Sequence, residues 1–214
     1  MSIQVNSNAV CPKCGQNTVV PVYKSINVAE NPELKEKVRD GSLFLWECPH
    51  CGSVNLAKYE TLYHDPERKL MLWMVSDEDL SEAQMTAITN HTRSMGDYRL
   101  RLVRNMGELM EKVLIDEAGL DDVVVEFTKW VIRNEMKGKD GQSEIPVLRF
   151  YRIEGTGDDR SIVLSFPKNG QMVGMKIGWN VYEDCAGILE RNPSVRPADG
   201  FVHIDADWAE SRIR

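Results

Sequence analysis

The sequence predicts an α+β protein: an N-terminal zinc-ribbon-like β module with an inserted short helix, then helices, then an antiparallel β meander. Three observations carry that reading. One five-residue word occurs twice, as Cys11-Pro12-Lys13-Cys14-Gly15 and Cys48-Pro49-His50-Cys51-Gly52. Runs rich in β-branched and aromatic residues, separated by turn chemistry, lie towards both ends of the chain. Between them, capping residues stand at helical intervals from apolar ones.

Each repeated word has the design of a zinc knuckle. Two cysteines three apart on a tight turn aim both sulfurs at one point, and the proline presets the dihedral that opens the turn. The glycine that follows takes a positive φ without steric cost, which lets nearby N–H groups point at the thiolates. Two knuckles supply four thiolates, the closed tetrahedral set that zinc prefers, so Cys11, Cys14, Cys48 and Cys51 are the expected ligands of one zinc ion. A single CxxC is a weak signal; a matched pair is a strong one. Thirty-three residues separate Cys14 from Cys48, where a plain ribbon uses about 15–20. An insertion therefore rides between the knuckles. Asn31-Pro32-Glu33-Leu34 reads as its helix start, with Asn31 as N-cap and Pro32 at the first helical position, and Gly41 as its stop. Residues 19–28 and 42–47 read as the strands leaving one knuckle and entering the next. Residues 54–63 and 69–75 read as extended runs around a His64-Asp65-Pro66-Glu67 turn, completing a small sheet over the metal within residues 1–75.

Residues 76–140 read as mainly helical. Ser76 with Asp79 resembles a capping box that opens a helix to about residue 92. Residues 98–104 alternate as a half-buried strand. Asn105 with Glu108 is a second capping signature, and Leu109, Val113 and Leu114 keep helical spacing until Gly119 ends the helix. Asp121 caps the next helix, with Val124, Phe127, Trp130 and Val131 along one face. Residues 137–141, polar and glycine-containing, read as a linker into residues 141–214. There, residues 145–153, 162–166 and 171–177 form the meander, with turns at 155–160 and 168–170. Residues 179–191 read as a helix, and Asp205 as the cap of a short terminal one.

The same ordered words carry a resemblance. The paired CPxCG words, Ser25-Ile26-Asn27-Val28, Asn31-Pro32-Glu33-Leu34, Gly41-Ser42-Leu43-Phe44 and Leu62-Tyr63-His64-Asp65-Pro66 together resemble the CpXC-domain family of bacteria and archaea. Leu109-Met110-Glu111-Lys112 through Gly119-Leu120-Asp121-Asp122 resembles that family's continuation, so the likeness runs over about residues 8–135. It implies a shared zinc-type site at Cys11, Cys14, Cys48 and Cys51, and it implies no reaction.

Composition narrows the function further. The 214 residues are 42% apolar and 28% charged, with a net charge of −7. Residues 1–75 carry 8 basic and 8 acidic side chains. The metal-bearing part is thus neutral before four thiolates and Zn²⁺ are counted. Phosphate neutralisation needs clustered Lys and Arg, so a nucleic-acid-binding ribbon ranks low. The longest apolar run, residues 70–75, is too short to span a bilayer, and no membrane is expected. The first residues lack a secretory pattern. Four cysteines committed to metal, with Cys185 left over, fit a reducing compartment, and the cytoplasm is the expected location.

A four-cysteine site leaves no position for an activated water, so the expected role is structural and the chain leans away from enzymes. Its expected partner is another protein, in an interaction or regulatory role. The alternative is a rubredoxin-like iron electron carrier using the same four cysteines, with Tyr23, Phe44, Trp46 and Tyr59 as its apolar shell. Other candidate groups read as structural. His64-Asp65 is turn chemistry, His50 points to solvent, and residues 155–160 make a hairpin tip without a P-loop ending or EF-hand spacing. Cys185 reads as a small core residue. Asp121, Asp122, Glu108, Glu111, Asp116 and Glu117 read as caps and a solvated helix face.

Overall fold

Hairpins organise the front of the chain. In the computed structural model, which describes residues 1–75, 86, 88, 90, 96–140 and 146–213, strands β1 (Ile3–Val10) and β2 (Asn17–Asn27) pair antiparallel. The first knuckle lies at their tip. The helix expected from residue 76 to about 92 lies largely outside the described residues. The chain divides into two units, Met1–Met110 with Asp199–Val202, and Glu111–Ala198 with His203–Arg214.

In the first unit the main sheet has the order β1-β2-β5-β6-β7-β11, using β5 (Thr61–Asp65), β6 (Leu70–Met74), β7 (Arg99–Val103) and β11 (Val202–His203). β2 joins β5 in parallel through Ser25–Asn27, and β6 pairs antiparallel with β5 and parallel with β7. β1 has no counterpart in the sequence reading. It is exposed along nearly its whole length, and its alternation is weak, because Ser7 interrupts the face that Ile3, Val5 and Ala9 share. β7 was expected to be half-buried, but Leu100, Arg101, Leu102 and Val103 are all buried. The Arg101 guanidinium is accommodated there by donating to the Leu100 carbonyl at 2.9 Å. Val75, Leu100, Leu102 and Phe201 form the sheet's core, with the Trp73 and Phe201 rings meeting edge-on at 5.7 Å.

The run expected over residues 54–63 is broken in two. β4 (Val54–Leu56) pairs with β3 (Leu45–Glu47) in a separate hairpin that carries the second knuckle, whereas β5 starts only at Thr61. Residues 42–47 are likewise not one strand: Ser42–Phe44 is a turn of 3-10 helix. Phe44 marks the break: its side chain is fully buried, and its carbonyl accepts the Ala57 N–H at 2.7 Å, the last bond in register with the β3–β4 pairing. Helix α1 (Pro32–Arg39) buries Leu34 and Val38, with proline in its first turn. Asn31 holds the N-cap position, yet its amide bonds Glu33 and caps no backbone N–H. Asp65 makes the expected turn bond, accepting the Arg68 N–H at 3.2 Å, and also pairs with Lys35 at 3.0 Å. His64 lies in β5 itself and not in the turn.

Helix α2 (Met106–Glu117) begins with the reciprocal cap that the sequence predicts. Asn105 Oδ1 accepts the Glu108 N–H at 3.0 Å, while the Glu108 carboxylate accepts from Asn105 Nδ2 at 2.8 Å. At its end Gly119 takes φ +69°, and the N–H groups of Gly119 and Leu120 reach the Asp116 and Ile115 carbonyls. That is a Schellman ending. Asp121 Oδ1 then accepts the Val123 N–H at 2.9 Å and caps α3 (Asp122–Asp140). Residues 137–140 are helical where a linker was expected. One glycine costs a helix about 1 kcal/mol and does not stop it.

In the second unit β8 (Arg149–Glu154), β9 (Ser161–Lys168) and β10 (Gln171–Gly178) form the expected antiparallel meander. Asn169 and Gly170, both at positive φ, make its two-residue turn. Helix α4 (Trp179–Arg191) follows. Asp205 caps α5 (Ala206–Ile213), accepting the Trp208 N–H at 2.8 Å. The core gathers Ile115, Leu120, Val125, Ile132, Leu148, Phe150, Ile162, Leu164 and Ile177.

α3 was assigned one apolar face through Val124, Phe127, Trp130 and Val131, but every residue from Asp122 to Lys129 is buried, and Trp130 and Val131 only half so. Glu111, Asp116 and Asp122 were read as caps or a solvated face, and all three are buried. Their charges are matched from within. Glu111 Oε1 accepts from Lys129 Nζ at 2.8 Å and from the Phe150 N–H at 2.7 Å, and its Oε2 accepts from Arg149 at 3.0 Å. Lys129 also reaches Glu126 at 2.8 Å, and Lys112 pairs with Asp122 at 2.8 Å. Burial penalises a lone charge, so these groups enter the interior only as networks. Among the described residues no helix is long and apolar enough to cross a membrane.

Candidate metal centre

The two knuckles fold alike because their sequences are alike. In each, the first cysteine's carbonyl accepts from the glycine four residues on: Gly15 to Cys11 at 2.8 Å and Gly52 to Cys48 at 2.9 Å. In each, the cysteine N–H reaches the carbonyl five residues on: Cys11 to Gln16 at 3.0 Å and Cys48 to Ser53 at 2.9 Å. Both glycines sit at positive φ, +71° and +67°. A side chain there strains the turn.

The tips of the β1–β2 and β3–β4 hairpins bring all four sulfurs together. The Sγ atoms of Cys11, Cys14, Cys48 and Cys51 lie within 4.8 Å of one another, with Cys11–Cys51 and Cys14–Cys48 both at 3.7 Å. A disulfide would need about 2.05 Å, and all four cysteines are free. Four thiolates about 2.3 Å from a tetrahedral zinc stand about 3.8 Å apart. The donor set and its spacing fit one tetrahedral ion. Cys11 and Cys48 are buried, Cys51 is half-buried and Cys14 is exposed.

Two side chains that the sequence reading missed complete the surroundings. Ser53 Oγ lies 3.2 Å from both the Cys11 and Cys51 sulfurs. Asn55 Nδ2 approaches Cys11 Sγ at 3.8 Å and donates to the Ser53 carbonyl at 2.9 Å and to its hydroxyl at 3.2 Å. The available signal was position: a hydroxyl directly after the second knuckle's glycine, and an amide two residues later. Groups of this kind orient ligands and tune the metal.

The thiols differ sharply in acidity. The Ser53 hydroxyl is the main cause that pulls Cys11 down to about 5, against burial and with help from backbone N–H groups. Ser53 lowers Cys51 as well. At Cys14 the Gln16 N–H pulls downward, but partial loss of hydration and the three neighbouring thiols push it up to about 12. Crowded thiols thus resist joint ionisation, and a divalent cation among them removes that resistance. Ser53→Ala is expected to keep the fold and weaken metal retention about 10–100-fold. Competition with a chromophoric chelator measures this; unchanged retention would show that the hydroxyl only fills space.

The other sequence candidates stand apart from this chemistry. His50 is exposed. His64 Nε2 lies 3.1 Å from the Tyr98 hydroxyl, and burial lowers its pKa. Cys185 is buried in α4, where burial pushes its thiol up. At the β8–β9 tip, a Cβ on Gly155 would fall 2.3 Å from the Asp159 carbonyl oxygen, which accounts for glycine there. Of the aromatic set, Phe44 and Tyr59 meet at 5.4 Å, and burial pushes the Tyr59 hydroxyl up to about 12.

The family model described as CpXC protein matches residues 9–129. No curated protein and no solved structure matches the chain. The match covers more than half of the sequence and holds both knuckles, the inserted helix α1 and the capped helix α2, so this protein belongs to the CpXC family.

Proposed function

We propose that Cys11, Cys14, Cys48 and Cys51 hold one zinc ion in a structural, non-catalytic site, and that the chain acts by contact with another protein. The observation that carries the first part is the convergence of four free sulfurs within 4.8 Å of one another. Four protein ligands close the coordination sphere and leave no place for an activated water. Metal binding then supplies folding free energy at the knuckle ends of the two hairpins, where Pro12 to Asn17, Pro49 and His50 are exposed and bury little. Four thiols kept out of disulfides suit a reducing compartment, and we assign the protein to the cytoplasm on that ground.

The second part rests on the hairpin that carries the second knuckle. Leu45 and Leu56 are cross-strand partners with 51% and 44% of their surface exposed, and Val54 beside them is 65% exposed. Apolar side chains gathered beside a rigid metal cage suit a protein partner. Phosphate binding calls for clustered Lys and Arg, whereas Leu45, Val54 and Leu56 are apolar, so this reading ranks protein above nucleic acid.

The deciding experiment is metal content with a visible spectrum, on protein purified aerobically without added metal. About one zinc per chain and no colour is the expected result. About one iron with thiolate-to-iron absorption would make the same cage an electron carrier and overturn the zinc reading. For the partner, co-purification from native extract is compared between the unaltered chain and Leu45→Asp/Leu56→Asp. A stoichiometric protein lost only from the variant supports the reading; none in either counts against it.

A further inference from the structure

The β1–β2 hairpin reaches beyond the sheet that roots it. β2 meets β5 only through Ser25–Asn27, while β1 pairs with β2 over its whole length, Ile3 to Val10. Among the described residues β1 is the outer strand of the sheet. An outer strand leaves a row of N–H and C=O groups open to pairing, and proteins commonly blunt such edges with charge, proline or shortness. β2 carries Pro21 and Lys24. β1 is eight residues long, with no proline and no charged side chain, and the first charged side chain of the chain is Lys13.

The side chains of β1 suit one partner in particular. Read about Ser7, the central five residues are nearly palindromic: Asn6 mirrors Asn8, and Val5 mirrors Ala9. Antiparallel pairing with an identical strand, centred on Ser7, sets each Asn6 opposite an Asn8 and each Val5 opposite an Ala9. The face is right as well. Val5 and Ser7 stand opposite Val22 and Val20 of β2, which are buried at 3% and 5%, while Val5 itself is 37% exposed. The apolar layer therefore continues outward to the edge and ends there uncovered. A second copy extends it with matching residues; a strand of unrelated sequence does not.

We propose that β1 pairs antiparallel with β1 of a second copy of this chain, about a twofold axis at Ser7, joining two sheets edge to edge. The interface is isologous, so the same patch serves both partners and the assembly closes at two. A ladder of one strand pair is small by the standard of stable interfaces, which places dissociation in roughly the micromolar range.

The test uses the full chain. Sedimentation velocity between about 1 and 300 μM is expected to show a monomer–dimer equilibrium. Ser7→Lys places two like charges opposite each other at the axis and is expected to leave only monomer, with its circular dichroism unchanged. Ser7→Cys tests the register independently of that variant. Paired residues at the axis stand about 4.5–5.5 Å apart, inside the window for a disulfide. Asn6→Cys would meet its symmetry mate at about 8 Å, beyond that window. Mild oxidation, read by non-reducing mass against the unaltered chain, should link Ser7→Cys and not Asn6→Cys. A monomer at every concentration overturns the proposal. So does a dimer that Ser7→Lys leaves intact, or one that Asn6→Cys links as readily.

Discussion

Replacing Cys48 with serine is expected to abolish metal binding and unfold the knuckle-bearing hairpins. Cys48 is buried, and its sulfur lies 3.7 Å from that of Cys14. A serine oxygen there is a poor ligand for a soft thiolate site and leaves three thiols crowded without a counter-charge. Structural zinc sites in small peptides carry about 10–16 kcal/mol of apparent binding free energy at neutral pH, which is also folding free energy. No single domain of ordinary stability absorbs such a loss. Hydrogen exchange locates the effect. Protection should vanish from β1, β2, β3 and β4 and persist in β8, β9 and β10, which have their own core. Stoichiometric metal in the variant, or undiminished protection in β3 and β4, would contradict the site.

The second large effect is expected at Glu111. Its carboxylate accepts from Lys129, Arg149 and the Phe150 N–H, all within 3.0 Å. Burial alone would raise its pKa, but Lys129 first and Arg149 next hold it below the usual carboxylate range. Glu111→Ala leaves those donors facing an apolar interior, and breaking a buried pair in this way costs about 3–5 kcal/mol. Glu126 shares Lys129 but has the opposite balance: burial, with the nearby Glu111 charge, pushes its pKa up. Glu126→Gln keeps an acceptor for the lysine while removing a costly charge, so at neutral pH it is expected to be neutral or mildly stabilising.

The pH dependence separates the two carboxylates. Glu111 is held below its unfolded value, so its contribution is present above that value and lost as pH falls through the folded pKa. Glu126 is held above its unfolded value, so its contribution is present at low pH and lost as pH rises through the folded pKa. Urea unfolding at neutral and acid pH should therefore show the Glu111→Ala deficit shrinking on acidification and any Glu126→Gln gain disappearing. A Glu126→Gln variant as unstable as Glu111→Ala would sink this account.

Local chemistry made much of the molecule legible. The Asn105–Glu108 cap, the Gly119 ending, the Asp121 and Asp205 caps and the Asn169–Gly170 turn each depend on residues a few positions apart. Sequence spacing reports such contacts directly. Each knuckle is of the same kind. Ser53 and Asn55 were harder to see, because a hydroxyl or amide near a cysteine has many possible partners until the chain fixes one. β1 was harder still to see, because its side chains are largely exposed and Ser7 interrupts its short apolar face.

By itself, then, the sequence determined the family, the α+β class, the four cysteines and the local caps and turns. Tertiary structure alone decided which groups meet across long separations. It placed Cys11 beside Cys51 and broke residues 54–63 around the buried Phe44. It also drew Glu111, Asp116 and Asp122 inside, against the rule that puts helix carboxylates in water. The physical reason is desolvation: a charge or thiol is tolerable in the interior only when partners arrive with it, and those partners come from elsewhere in the chain.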